Sequence, residues 1–66
     1  MSSEMLEVLV VEDEPRIAAG VRSMLSRGLD QPSRIRVAYS GAEALDELAR
    51  RRADLMITDI RMPGIS

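Results

Sequence analysis

Apolar positions along the chain fall into three short runs separated by two stretches of helical spacing. Leu6 to Val11 (LEVLVV) is nearly continuous and rich in valine. That pattern predicts a parallel strand buried on both faces. From Pro15 to about Arg27 the apolar residues Ala18, Val21, Met24 and Leu25 recur at helical spacing, with Ile17 at the rim of the stripe. Gly20 weakens this helix by about 1 kcal/mol relative to alanine, and Gly28 supplies a stop. Asp30 to Ser33 reads as a loop. Ile35, Val37 and Tyr39 then alternate with Arg34, Arg36 and Ala38, which predicts an edge strand with one polar face. Ser40 and Glu43 have capping-box spacing. They open a second helix that runs to about Arg51, with Ala44, Leu45, Leu48 and Ala49 inward. Leu55 to Thr58 is the third strand, and the Pro63-Gly64 pair marks a turn after it.

Strand, helix, strand, helix, strand implies an α/β fold with a parallel sheet and right-handed crossovers. Two strands end in acid. Glu12-Asp13-Glu14 follows the first and Asp59 follows the third. Open α/β sheets place ligands beyond the carboxyl ends of their strands. If these strands are neighbours, the two sets of carboxylates lie about 5 Å apart. Two carboxylates about 4 Å apart repel by roughly 4 kcal/mol at an effective dielectric of 20. A hard divalent cation relieves that repulsion, and magnesium accepts one or two carboxylates plus a phosphate. Spacing alone also leaves open a solvated helix N-terminus for Glu12, Asp13 and Glu14, and an ordinary turn aspartate for Asp59.

Composition narrows the chemistry. The 66 residues allow one small domain, which is marginal alone. With neither cysteine nor histidine, any metal site must be built from oxygen. Net charge is −2, and all nine basic residues are arginine. Nothing in this balance suggests nucleic-acid or lipid contact by the segment. The Arg50-Arg51-Arg52 run reads as a solvated helix end. No apolar run reaches membrane-spanning length and no signal-peptide pattern opens the chain. The expectation is a cytoplasmic protein.

Three stretches in order, LVVEDEP at Leu9 to Pro15, SGAEALDEL at Ser40 to Leu48 and DLMITDIRMPG at Asp54 to Gly64, resemble the N-terminal half of a response-regulator receiver domain of bacterial two-component signalling. The resemblance spans nearly all of residues 1–66. It implies a flavodoxin-like parallel sheet, here β1-α1-β2-α2-β3 with strand order 2-1-3. It implies a phosphoacceptor module, not an enzyme, that takes a phosphoryl group from a sensor histidine kinase or phosphotransfer protein onto Asp59. Carried over residue by residue, Asp13 binds Mg2+ directly, Glu12 acts through water or charge, and the backbone carbonyl of Arg61 completes the protein ligands with Asp59. Pro63 and Gly64 shape the following loop. Residues Pro15 to Gly20 resemble the kinase-docking surface, with Ile17 a candidate contact.

The chain departs from the pattern where it stops, seven residues beyond Asp59. A complete receiver goes on to supply a Ser/Thr and a lysine at the acceptor site and a switch aromatic, and this sequence has no lysine. The alternative expectation is therefore an inactive half-domain acting only by interaction, with a homodimer formed through the exposed third strand. A haloacid-dehalogenase-type phosphatase needs a second aspartate where Arg61 stands, and a dinucleotide site needs glycines where EDEP stands.

Overall fold

The computed structural model describes residues 5–58. The elements are β1 (Leu6–Val11), α1 (Pro15–Gly28), β2 (Ser33–Ala38), α2 (Gly41–Arg50) and β3 (Leu55–Thr58). All strand pairs are parallel, in the order β2-β1-β3. Val8 pairs with Ile35 on one side and Leu55 on the other, and Val11 with Ala38 and Thr58. This is the flavodoxin-like arrangement expected, with β2 at an edge and β1 central.

Paired residues of parallel strands share a face, and successive residues alternate. One face therefore carries Val8, Val10, Ile35, Val37, Leu55 and Ile57. The other carries Glu7, Leu9, Val11, Arg34, Arg36, Ala38, Met56 and Thr58. The first crossover runs from β1 to β2 and the second back from β2 to β3, so they step in opposite directions across the sheet and right-handedness puts the helices on opposite faces. Leu9, Val11, Ala38 and Ala44 form one buried cluster, which places α2 on the second face. Val8 through Val11 are all fully buried. A valine-rich strand with no polar side suits that central position.

Cover by the helices is narrower than their apolar stripes suggest. Both helices lie against β1 and β2, and neither reaches β3 among the described residues. Ala18 and Ala44 are buried, but Met24 is 62% exposed and Leu45 70%. Leu48 and Ala49 are exposed as well, so Ala44 alone of the four predicted inward residues is buried. Leu45 lies about 100° around the helix from Ala44. With α2 seated over β1 and β2, that rotation carries it clear of the sheet. Tyr39 falls just outside β2 and is exposed.

The helix ends also differ in detail from the expectation. Ser40 Oγ accepts from the Glu43 N–H at 3.1 Å, but the Glu43 carboxylate reaches the Tyr39 N–H, at 2.9 Å, one residue before the cap. Gly28 is the last residue of α1, and Leu29, in extended conformation, caps it through Leu25 O at 3.1 Å.

The polar side of β2 is covered by α2. Arg36, with a side chain only 15% exposed, crosses beneath the C-terminus of α2. Its Nη1 donates to the Glu47 carbonyl (3.2 Å) and to Glu47 Oε1 (3.0 Å). Its Nη2 donates to the carbonyls of Arg51 and Arg52, both at 3.1 Å. A strand residue thus binds the Glu47 carbonyl, which also accepts the Arg51 N–H, together with the carbonyls of the cap residue Arg51 and of Arg52 just past the helix. Arg50 and then Arg36 hold the Glu47 carboxyl below its ordinary value by donating hydrogen bonds to it. The arginine run is exposed as expected but not merely solvated. Arg50 pairs with Glu47, Arg51 with Glu7 and Arg52 with Asp54.

Candidate phosphoacceptor site

The site is built at the carboxyl edge of the sheet, where β1 gives way to α1. The Glu12 N–H donates to the Ala38 carbonyl at 2.9 Å, extending the β1–β2 ladder one step past the strand. Glu12 is buried at this edge, only 7% exposed. Its Oε2 accepts from the Glu14 N–H at 3.3 Å. Asp13 is exposed at the same edge. Glu14 is the N-cap of α1 with extended backbone and no side-chain capping bond, and Pro15 follows in the first turn. Proline needs no hydrogen-bond partner there and its fixed φ suits a helix start. The positive end of the α1 dipole therefore faces the acidic pair.

β3 delivers its own carboxyl end to the same edge, because Thr58 pairs with Val11. Both strands thus end side by side at this edge, β1 immediately before Glu12 and Asp13. Asp59, Arg61, Pro63 and Gly64 lie outside the described residues. Among those described, no three acidic residues gather closely enough to hold a metal ion. The structure accordingly brings Glu12 and Asp13 to one place. The difference between them, one buried and hydrogen-bonded, the other open, was not readable from the sequence.

At the opposite edge a second acidic residue proves structural. The Glu7 N–H donates to Asp54 Oδ2 at 2.9 Å, and the Asp54 N–H donates to the Glu7 carbonyl at 2.7 Å. Asp54 opens the matched DLMITDIRMPG stretch, but nothing in the spacing marked it as a cross-strand clamp.

Comparison with known proteins agrees with this architecture. The sequence profile described as "Response regulator receiver domain" matches residues 8–66. The chain is 45% identical over 62 residues to a protein-glutamate methylesterase/protein-glutamine glutaminase 1 of Syntrophus aciditrophicus, covering 89% of this chain and 17% of that protein. It is 39% identical over 59 residues to the transcriptional activator protein ExaE of Pseudomonas putida, covering 89% and 27%. It is 34% identical over 61 residues to the response regulator GacA of Pseudomonas syringae, covering 92% and 28%. The chain thus spans less than a third of the length of these relatives. No solved structure matches it at comparable significance. The parallel β2-β1-β3 sheet, the acidic pair ending β1 and a profile match over most of the chain together establish that it belongs to the response-regulator receiver domain family.

Proposed function

We propose that residues 1–66 are the N-terminal half of a receiver unit in which Asp59 accepts a phosphoryl group from a phosphohistidine. The observation that carries this reading is the register of β1 against β3. It brings the chain segments leading to Asp13 and Asp59 side by side at the carboxyl edge of a receiver-family sheet. In the transfer, an Asp59 carboxylate oxygen attacks phosphorus in line with the leaving group. The P–O bond forms as the P–N bond breaks, and its electron pair returns to the imidazole nitrogen. The product is an aspartyl phosphate.

Mg2+ fits the donor set, which is all oxygen. Asp13, exposed, would ligate directly, with Asp59 and the Arg61 carbonyl. Glu12 has one oxygen engaged by the Glu14 N–H, which leaves the other for a metal-bound water. When bound, the ion offsets the charge of the phosphoryl oxygens. The donor would be a sensor histidine kinase or phosphotransfer protein in the cytoplasm. Ile17, exposed on the first turn of α1, would touch it. Among the described residues no helix is long and apolar enough to cross a membrane.

The test is incubation with acetyl phosphate and magnesium, followed by intact mass measurement. One phosphoryl increment is expected for the wild type, none for Asp59→Asn and a reduced yield for Asp13→Asn. An increment that survives in Asp59→Asn would move the acceptor elsewhere. Equal yields with and without Asp13 would remove it from the metal site.

The exposed β3 residues Leu55 and Met56 favour a second reading, in which two copies pair along β3. Such pairing would crowd the end of that strand, so association and phosphorylation would compete. Sedimentation across a concentration series tests this. A monomer at every concentration would exclude the dimer.

A further inference from the structure

The strand that leads to Asp59 has little of its own to fix its position. β3 is four residues long, uncharged, and pairs with β1 alone among the described residues. Neither helix covers it. Strand register is strongly specified where one face is buried, and a slip of one residue turns every side chain to the other face. Leu55 and Met56 differ little in polarity and are both exposed, at 41% and 48%. Ile57 is only half-buried and Thr58 is exposed, so a slip that exchanges faces has a modest hydrophobic penalty. Register has to be set outside the strand.

We infer that Asp54 is the positioning residue that sets the register of β3, and so the position from which Asp59 leaves the sheet. This rests on the reading of Asp59 as phosphoacceptor. Asp54 immediately precedes the first ladder pair, Val8 with Leu55. Its N–H donates to the Glu7 carbonyl and its carboxylate accepts the Glu7 N–H, so both backbone groups of one β1 residue are bound by one residue of the incoming chain. A slip of one residue breaks both bonds. It would bring Ala53 or Leu55 opposite Glu7, and neither has a side chain that can accept a hydrogen bond. The approach to Asp54 is restrained too, since Arg36 Nη2 binds the carbonyls of Arg51 and Arg52. Arg52 also pairs with the free side of the Asp54 carboxylate, at 3.5 Å to Oδ1.

The chain has no cysteine, so paired cysteines make a clean register ruler. Val10→Cys with Ile57→Cys reports the native register. Val10→Cys with Met56→Cys or with Thr58→Cys reports a slip of one residue either way. Adjacent strands lie within the Cα separation a disulfide spans. In the native background the first pair should cross-link and the others should not. Asp54→Ala should shift the native-to-slipped ratio by about tenfold, the weight of one charge-assisted hydrogen bond. Asp54→Asn, which retains one acceptor oxygen, should fall between. Phosphorylation of Asp59 in the same proteins should follow the native fraction. Asp54→Ala cross-linking only the native pair at wild-type yield would overturn the inference. Should Asp54→Ala fold too poorly to cross-link at all, Asp54→Leu, which likewise lacks an acceptor, is read in its place, and the absence of any slipped product there would overturn it equally. The ruler does not depend on phosphate. A wild-type chain that cross-links natively but takes no phosphoryl group would refute the acceptor reading and leave the register lock standing.

Discussion

Replacing Arg36 with methionine removes the side chain that ties β2 to the end of α2 while keeping much of its apolar stem. Four contacts disappear, but they come from two donor nitrogens, each shared between two acceptors. Two charge-assisted donors would contribute about 3 kcal/mol or more if fully buried. The Nη2 pair is exposed, and water can replace it in part. Arg36 Nε is buried without a partner among the described residues, and methionine relieves that cost of about 1 kcal/mol. The balance is a loss of about 2 kcal/mol. A chain of this size has a total stability of roughly 3–10 kcal/mol. The midpoint of thermal unfolding should therefore fall by roughly 8–16 °C. Circular dichroism during heating and in urea measures it. Arg36→Lys should recover less than half, because a single ammonium cannot span both the Glu47 and the Arg51–Arg52 carbonyls. A change below about 0.5 kcal/mol, as for an ordinary surface substitution, would refute the reasoning. It would mean that the α2 terminus is held by its own turn.

Three further outcomes are expected. Gly20→Ala should stabilise by about 0.5–1 kcal/mol by urea denaturation, since a Cβ at that position meets nothing within 4 Å. Ser40→Ala should destabilise by about 1 kcal/mol by removing the oxygen that accepts the Glu43 N–H, and Ser40→Asp should restore most of it. Glu47 has its folded-state value lowered by Arg50 and Arg36, so its contribution is present above the ordinary value of 4.5 and lost as pH falls through the lowered one. Unfolding midpoints taken from neutral pH to well below 4.5 should show part of this acid sensitivity vanish in Glu47→Gln.

The elements themselves were legible because each has an unmixed period, whereas the strand order 2-1-3 came only from the resemblance to receiver domains. LEVLVV, nearly all apolar, reads as a strand buried on both faces, whereas SRIRVA alternates as an edge strand does. What the pattern could not give was which part of a stripe meets the sheet. Leu45 is the more apolar of two neighbouring residues, yet Ala44 is the buried one, and only the seating of α2 over β1 and β2 separates them. Arg36 looked like a solvent-facing residue because alternation reports that a face is polar, not that a helix end lies across it. At the site, charge and strand ends located Glu12 and Asp13 together. The burial of Glu12 accompanies a backbone bond to Ala38, a contact between distant parts of the chain that no local spacing encodes.

The central strand β1 gains its two partners in an order set by helix cover. Its β2 partner lies 27 positions along the chain (Leu6 to Ser33), and its β3 partner 47 (Val8 to Leu55). The longer closure adds only about 0.5 kcal/mol of chain entropy, so distance alone barely ranks the two events. Helix cover ranks them. β1 and β2 share α1 and α2, while β3 joins with no helix of its own among the described residues. It should therefore dock last and open first, by local opening well below the global unfolding free energy. Amide hydrogens of β3 would then exchange ahead of those in β2. The strand that leads to the proposed acceptor would come and go on a nucleus already complete without it.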